Sequence, residues 1–178
     1  MVVFDSTLLL VFLNENTNIP NDPTTGLPVE KARERIDHLI ETLDKNKVKI
    51  IIPTPALSEV LVRAKAAGNE YLLRLEKYSS FQITPFEKMA AIELAEMTKK
   101  AIKKGDKKGG SSETWAKVKF DRQILAIGRV AGASTIYSDD NGLKETGRML
   151  GFKILSLADL DVPHKQLSFS KEELSHSD

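Results

Sequence analysis

The stretch Val48-Lys49-Ile50-Ile51-Ile52-Pro53-Thr54-Pro55-Ala56-Leu57-Ser58-Glu59 decides the fold class. Three consecutive isoleucines carry no in–out alternation, so both faces of the strand they form (Val48 to Ile52) must be covered, as in a parallel sheet. Thr54-Pro55 follows at once, supplying an N-cap and a proline at the first helical position of a helix that carries Glu59 in its opening turns. A strand running straight into a helix is half of a βαβ unit.

The same alternation extends in both directions. Upstream, Val2-Val3-Phe4 ends at Asp5, and Asp5 or Ser6 caps a helix through Leu13. Residues 14–28 are rich in Asn, Thr and Pro and form a long loop, long enough to be a functional flap or an insertion. A helix from Val29 to Lys45 follows, with Val29, Ala32, Ile36, Leu39, Ile40 and Leu43 at helical spacing. Downstream, a helix spans Asn69 to Tyr78. Phe81-Gln82-Ile83 is a third strand, Thr84-Pro85 repeats the cap-and-proline device, and a helix runs from Phe86 to Lys104. After a loop at 105–112, Phe120-Asp121 opens a helix that Gly132 ends. A fourth strand (Ser134–Tyr137), a short helix through Met149 and a last strand (Phe152–Leu155) complete the pattern. Strands alternating with helices give an α/β fold with a mostly parallel sheet in one domain, residues 1–160, followed by a polar tail at 161–178.

The composition narrows the chemistry. In a chain of 178 residues, 41% hydrophobic and 29% charged residues describe a globular domain. There is no cysteine, which excludes disulfides and thiolate metal sites, and His38, His164 and His176 share no zinc-ligand spacing. The apolar run Leu8–Leu13 is a third of a membrane span, and no basic leader precedes it, so a cytoplasmic protein is expected.

Four carboxylates stand where strands end or helices begin: Asp5, Glu59, Asp121 and Asp140. In open α/β sheets, ligands bind outside the carboxyl ends of the strands. Gathering carboxylates there is costly without a cation, and oxygen ligands suit Mg2+ or Mn2+. Asp121 is the ambiguous member. If its helix packs antiparallel to the strands, its start lies at the opposite rim; if the helix crosses so that Asp121 reaches the rim, all four acids converge. Individually each acid has a plainer explanation: Asp5 and Asp121 as N-caps, Glu59 on a solvated face, and one of Asp139 and Asp140 in turn chemistry with Asn141-Gly142.

Val2-Val3-Phe4-Asp5-Ser6, Ala56-Leu57-Ser58-Glu59-Val60, Phe120-Asp121-Arg122-Gln123-Ile124-Leu125-Ala126 and Thr135-Ile136-Tyr137-Ser138-Asp139-Asp140 together resemble, in order and spacing, the four acidic motifs of PIN-domain ribonucleases. The resemblance covers about residues 1–160, and it rests on the ordered set, since a hydrophobic run ending in aspartate is common by itself. It implies a three-layer α/β/α sandwich, a Mg2+ or Mn2+ site and hydrolysis of RNA. Many bacterial and archaeal members are VapC-type toxins paired with an antitoxin protein. Asp5, Glu59, Asp121 and Asp140 would then be the metal-binding and catalytic carboxylates, with Asp139 as the alternative in the last motif. Gly142 stands where some members carry a further acid.

The expected chemistry is metal-assisted attack of water on a phosphodiester, with Ser6 and Ser138 orienting carboxylates by hydrogen bonds. Lys99, Lys100, Lys103 and Lys104 read as a solvated helix end. Lys107, Lys108 and Lys119 are candidates for holding RNA phosphates, and Trp115 is a candidate for stacking on a base. A non-catalytic PIN-like module for nucleic-acid or protein binding is the alternative, and a homodimer through the Val29–Lys45 helix and the helix near Leu72 is a further expectation. A phosphoacceptor switch fits poorly, because Lys153 lies within the last strand and not at its end.

Overall fold

The computed structural model describes residues 1–163. The tail from 164 onward, with His164 and His176, lies outside the described residues. Five strands form one wholly parallel sheet: β1 (Val2–Phe4), β2 (Ile50–Pro53), β3 (Phe81–Thr84), β4 (Thr135–Tyr137) and β5 (Lys153–Leu155), in the order β3-β2-β1-β4-β5. The register pairs Val3 with both Ile51 and Ile136, and Ile136 with Ile154.

Successive residues of these strands feed opposite faces. Val2, Phe4, Ile50, Ile52 and Tyr137 pack into one core with α1 (Ser6–Leu13), α2 (Ala32–Lys45), α3 (Thr54–Ala64) and α4 (Gly68–Glu76). Val3, Ile51, Ile136 and Ile154 pack into the other with α5 (Lys88–Lys103), α6 (Trp115–Val130) and α7 (Asn141–Met149). The result is the expected three-layer α/β/α sandwich. Ile50, Ile51 and Ile52 are all fully buried, which is why the run shows no alternation. Each contributes roughly 1.5–3 kcal/mol of burial.

Two glycines set how closely helices approach the sheet. A Cβ on Gly128 would stand 2.8 Å from Val3 Cγ2, and one on Gly147 would stand 2.7 Å from Ile154 Cδ1. Backbone therefore lies directly against side chains of β1 and β5 at these points.

Several boundaries differ from the sequence expectations. α2 begins at Ala32, not Val29, after Lys31 in the left-handed region (φ 51°). The N-cap of α3 is Pro53, without a side-chain cap bond, so Thr54 is already helical. Thr84 belongs to β3, and α5 starts four residues later at Lys88. In the second place parallel pairing (Pro53 to Thr84) extends the strand through the residue read as a cap, and in the first it carries β2 through Pro53, which takes the N-cap position ahead of Thr54. The largest correction concerns Asp121. α6 begins at Trp115, capped by the Thr114 side chain on Lys117 N, so Asp121 lies mid-helix and is no N-cap.

Candidate active site

Asp5 closes β1 and caps α1. Its Oδ1 accepts from Thr7 N (3.0 Å), Thr7 Oγ1 (2.7 Å) and Leu8 N (3.2 Å), and its Oδ2 accepts from the Ser138 hydroxyl. The side chain is buried, and burial pushes its carboxyl up to about 7 in spite of these donors, with the nearby Asp140 charge adding to the rise. Ser138 stands just beyond β4, and its Oγ also accepts from Asp140 N at 3.0 Å. One hydroxyl thus ties the end of β1 to the end of β4.

Asp140 and Asp121 meet through a lysine. Lys117 Nζ lies 2.6 Å from Asp121 Oδ1 and 2.9 Å from Asp140 Oδ2. Lys117 precedes Asp121 by four residues, so one turn of α6 places both on the same face. Burial raises the Asp121 carboxyl to about 6, with Lys117 offsetting part of the rise and Asp140 and Glu113 adding to it. Burial also acts on Asp140, but the Leu143 N–H and Lys117 outweigh it and hold that carboxyl below its ordinary value. Burial opposes the Lys117 charge, yet its two carboxylate partners hold it above its ordinary value. Asp140 Oδ1 meanwhile caps α7 through Leu143 N at 2.9 Å.

Contact with Asp140 puts Asp121 at the carboxyl rim. A helix leading back to the amino end of a parallel strand must come from the carboxyl side, so antiparallel packing brings the first half of α6 to this rim. The opposite-rim alternative had this direction reversed.

Glu59, in the second turn of α3, is partly exposed. Its Oε2 accepts from Ser6 Oγ (2.6 Å), and its Oε1 pairs with Arg63 (3.2 Å). Ser6 adjoins Asp5, so Glu59 reaches the same rim from the neighbouring strand's helix. Ser58, Glu59, Val62, Arg63, Lys117, Phe120 and Asp140 line one open cleft. Asp139 turns elsewhere: its Oδ2 accepts from Leu157 N (3.1 Å) and its own N–H donates to Thr7 Oγ1 (3.0 Å).

Among the basic candidates, Lys107 Nζ sits 5.2 Å from the centre of the Trp115 ring, and Lys108 Nζ donates to Glu113 O at 2.9 Å. Lys119 is exposed. Trp115 is half-buried against Lys107 and Arg122, so its ring already has cationic neighbours. Gly142 keeps the rim open: a Cβ there would stand 3.3 Å from Asp121 Oδ2 and 3.4 Å from Asp140 Oδ1. Lys117 is not among the site residues named from the sequence. The i,i+4 spacing to Asp121 was the available signal for its clamp.

Among the described residues, no three Asp, Glu or His side chains converge closely enough to hold a metal ion as they stand. The donor set nonetheless fits a hard divalent cation. It is all carboxylate, burial raises its two most buried members well above their ordinary values, and an ammonium already bridges Asp121 and Asp140. Lys117 occupies the place between Asp121 and Asp140 that such an ion would take.

No family model and no curated protein matches the sequence. Solved structures do. A chain of FitAB bound to an IR36 DNA fragment aligns with a TM-score of 0.56 at 13% identity, covering 92% of this chain and 100% of that one. A chain of VapBC2 from Rickettsia felis, bound to a DNA fragment from its promoter, aligns with 0.55 at 13% identity, covering 88% and 98%. VapC20 of Mycobacterium tuberculosis, a toxin that cleaves the sarcin-ricin loop, aligns with 0.52 at 12% identity, covering 83% and 95%. Likeness at this identity concerns architecture alone, and the architecture is that of the VapC-like PIN domain.

Proposed function

We propose that this protein is a metal-dependent endoribonuclease that hydrolyses RNA phosphodiester bonds at the carboxyl rim of its sheet. The observation that supports this most directly is the meeting of Asp121 and Asp140 on one ammonium, Lys117, with Asp5 tied to the Asp140 backbone through the Ser138 hydroxyl. Asp5, Glu59, Asp121 and Asp140 are the residues that would hold Mg2+ or Mn2+. When bound, the ion supplies charge neutralisation at the phosphate and lowers the pKa of water.

The remaining work falls to the chain. Ser138 and Thr7 fix the Asp5 carboxylate, and Ser6 fixes Glu59, so the donors are oriented before any ion arrives. Asp5 carries its proton near neutrality while no cation compensates it, so loading releases that proton. Lys117, displaced from Asp121 and Asp140, keeps its charge beside the cleft and can donate to a phosphate oxygen. Lys107 and Lys119 supply charge for the flanking phosphates, and Lys108 can do so only by leaving Glu113 O.

Pairing with an antitoxin protein belongs to the same proposal. It is supported by the fold shared with chains of FitAB and VapBC2 and with the VapC20 toxin. No helix among the described residues is long and apolar enough to cross a membrane.

The test is RNA cleavage by purified protein with Mg2+, Mn2+ or EDTA, comparing wild type with Asp140→Asn and Asp121→Asn. Metal-dependent cleavage that both substitutions abolish is the expected result. Cleavage surviving in both would remove the assignment. No cleavage of structured or single-stranded RNA under either metal would favour the non-catalytic module.

A further inference from the structure

On the outer side of α6, away from the Lys117 clamp, a cavity of about 350 Å³ opens between α5, α6 and α7. Its polar wall is cationic: Lys100 of α5, Lys104 at the C-cap of α5, and Arg122 and Arg129 of α6. Met97 and Leu150 contribute apolar surface, and no carboxylate lines it.

Arg122 is the unusual member. It is 4% exposed, yet no carboxylate lies within ion-pair distance of it among the described residues. Its Nη1 donates to two neutral acceptors, Thr98 Oγ1 (3.3 Å) and Lys107 O (2.8 Å). Its Nη2 makes no hydrogen bond among the described residues and borders the cavity beside Gly109, where an added Cβ would stand 3.4 Å away. Asp106, the nearest acid to influence it, is engaged with the N–H groups of Lys108 and Gly110. Arg129 differs, since Glu93 pairs with it at 3.1 Å.

A buried guanidinium without a counter-charge is costly unless an anion completes it. Structural pinning of the 105–114 loop accounts for Nη1 but not for the free Nη2, nor for two lysines gathered at the same opening. The free Nη2 offers its two N–H donors to an oxyanion, and lysines add point charge. A cavity of this volume lies within the range of small-molecule sites, and its apolar wall leaves room for more than the anion itself.

We propose that this cavity binds the phosphate of a nucleotide, with Arg122 gripping the phosphate, Lys100 and Lys104 closing over it, and Met97 and Leu150 packing against the nucleoside. Arg122 follows Asp121 directly, so this site and the acidic rim occupy different flanks of one helix. The inference does not depend on nuclease chemistry.

Trp115 is the sole tryptophan and lies 5.7 Å from the Arg122 guanidinium, ring centre to Cζ, which makes it a reporter. Its fluorescence would be titrated in EDTA with adenosine monophosphate, adenosine and inorganic phosphate, for wild type and for the Lys100→Glu/Lys104→Glu variant. Both lysines are exposed, so the variant should fold, and circular dichroism checks it. The expected result is saturable binding of the monophosphate, no response to adenosine, weaker binding of inorganic phosphate, and a loss of about tenfold or more in the variant. No saturation at millimolar monophosphate, or equal binding by the variant, would overturn the site. Equal affinity for inorganic phosphate would overturn the nucleotide as its ligand.

Discussion

Replacing Asp5 with asparagine should stabilise the metal-free protein above neutral pH. The native carboxyl sits at about 7 against an ordinary 3.8, so between these values the folded protein holds a proton that the unfolded chain has released. The stability linked to that proton is complete below pH 3.8 and is lost as pH rises through about 7. Each tenfold in proton affinity is worth about 1.4 kcal/mol, so this interval sets a ceiling of about 4 kcal/mol, and relaxation around a buried charge reduces it to about 2 kcal/mol. Asparagine has no proton to lose. Its Oδ1 can keep the donors Thr7 N, Thr7 Oγ1 and Leu8 N, and its Nδ2 can donate to Ser138 Oγ, which has a second lone pair beside the one used by Asp140 N. Thermal melts of both proteins in EDTA from about pH 3.5 to 8.5 should show near-equal Tm at the acid end. The variant should lead by about 4–8 °C at the alkaline end. A difference in Tm that does not change with pH would refute the argument, because it would mean that Asp5 is ionised at no cost in the fold.

Removing the stand-in cation with Lys117→Met should act in two directions. The metal-free protein should lose about 2 kcal/mol, since one partner of a half-buried pair is gone, while Mn2+ measured by calorimetry at pH 8 should bind about tenfold more tightly, since nothing has to be displaced. Unchanged affinity would show that Lys117 and the ion do not compete. Gly147→Ala should cost about 1–3 kcal/mol in urea unfolding, because its Cβ would press on Ile154 Cδ1 at 2.7 Å and Leu125 Cδ2 at 3.3 Å.

The strands were legible because a parallel sheet writes itself as unbroken apolar runs. Val2–Phe4 and the isoleucines of β2 are read directly, and Asp5 capping α1 follows from its position at the junction. The ends of elements were less legible. Thr54 and Thr84 look like caps locally, but pairing between β2 and β3 claims Thr84 and runs through Pro53, leaving Thr54 inside the helix, and no local signal reports a partner strand. Asp121 was misplaced for a related reason. Residues 115–119 alternate Trp115, Ala116 and Val118 with Lys117 and Lys119 straight after a Gly- and Ser-rich loop, which hid the first turns of α6 behind the apolar segment at 124–127. The rim itself was legible as four acids in order, and Ser6 and Ser138 were legible as hydroxyls that orient carboxylates, but which carboxylate Ser138 serves, 133 positions away, could not be read. The unpaired Arg122 was equally hidden, because burial without a counter-charge is a property of packing.

The place of β1 in the sheet has a consequence for how the protein comes into being. It is the middle strand, held between β2 and β4, and its partner Ile136 lies more than 130 residues further along the chain. At about 5–20 residues per second of synthesis, β1 waits several seconds on the ribosome with one edge open. Such distant pairings are slow to form, and they come late. Until Ser138 and Asp140 emerge and β4 docks, Asp5 lacks its hydroxyl partner and the acidic rim has only one wall. The acidic rim is therefore assembled late: its walls come together only once β4 has emerged and docked beside β1.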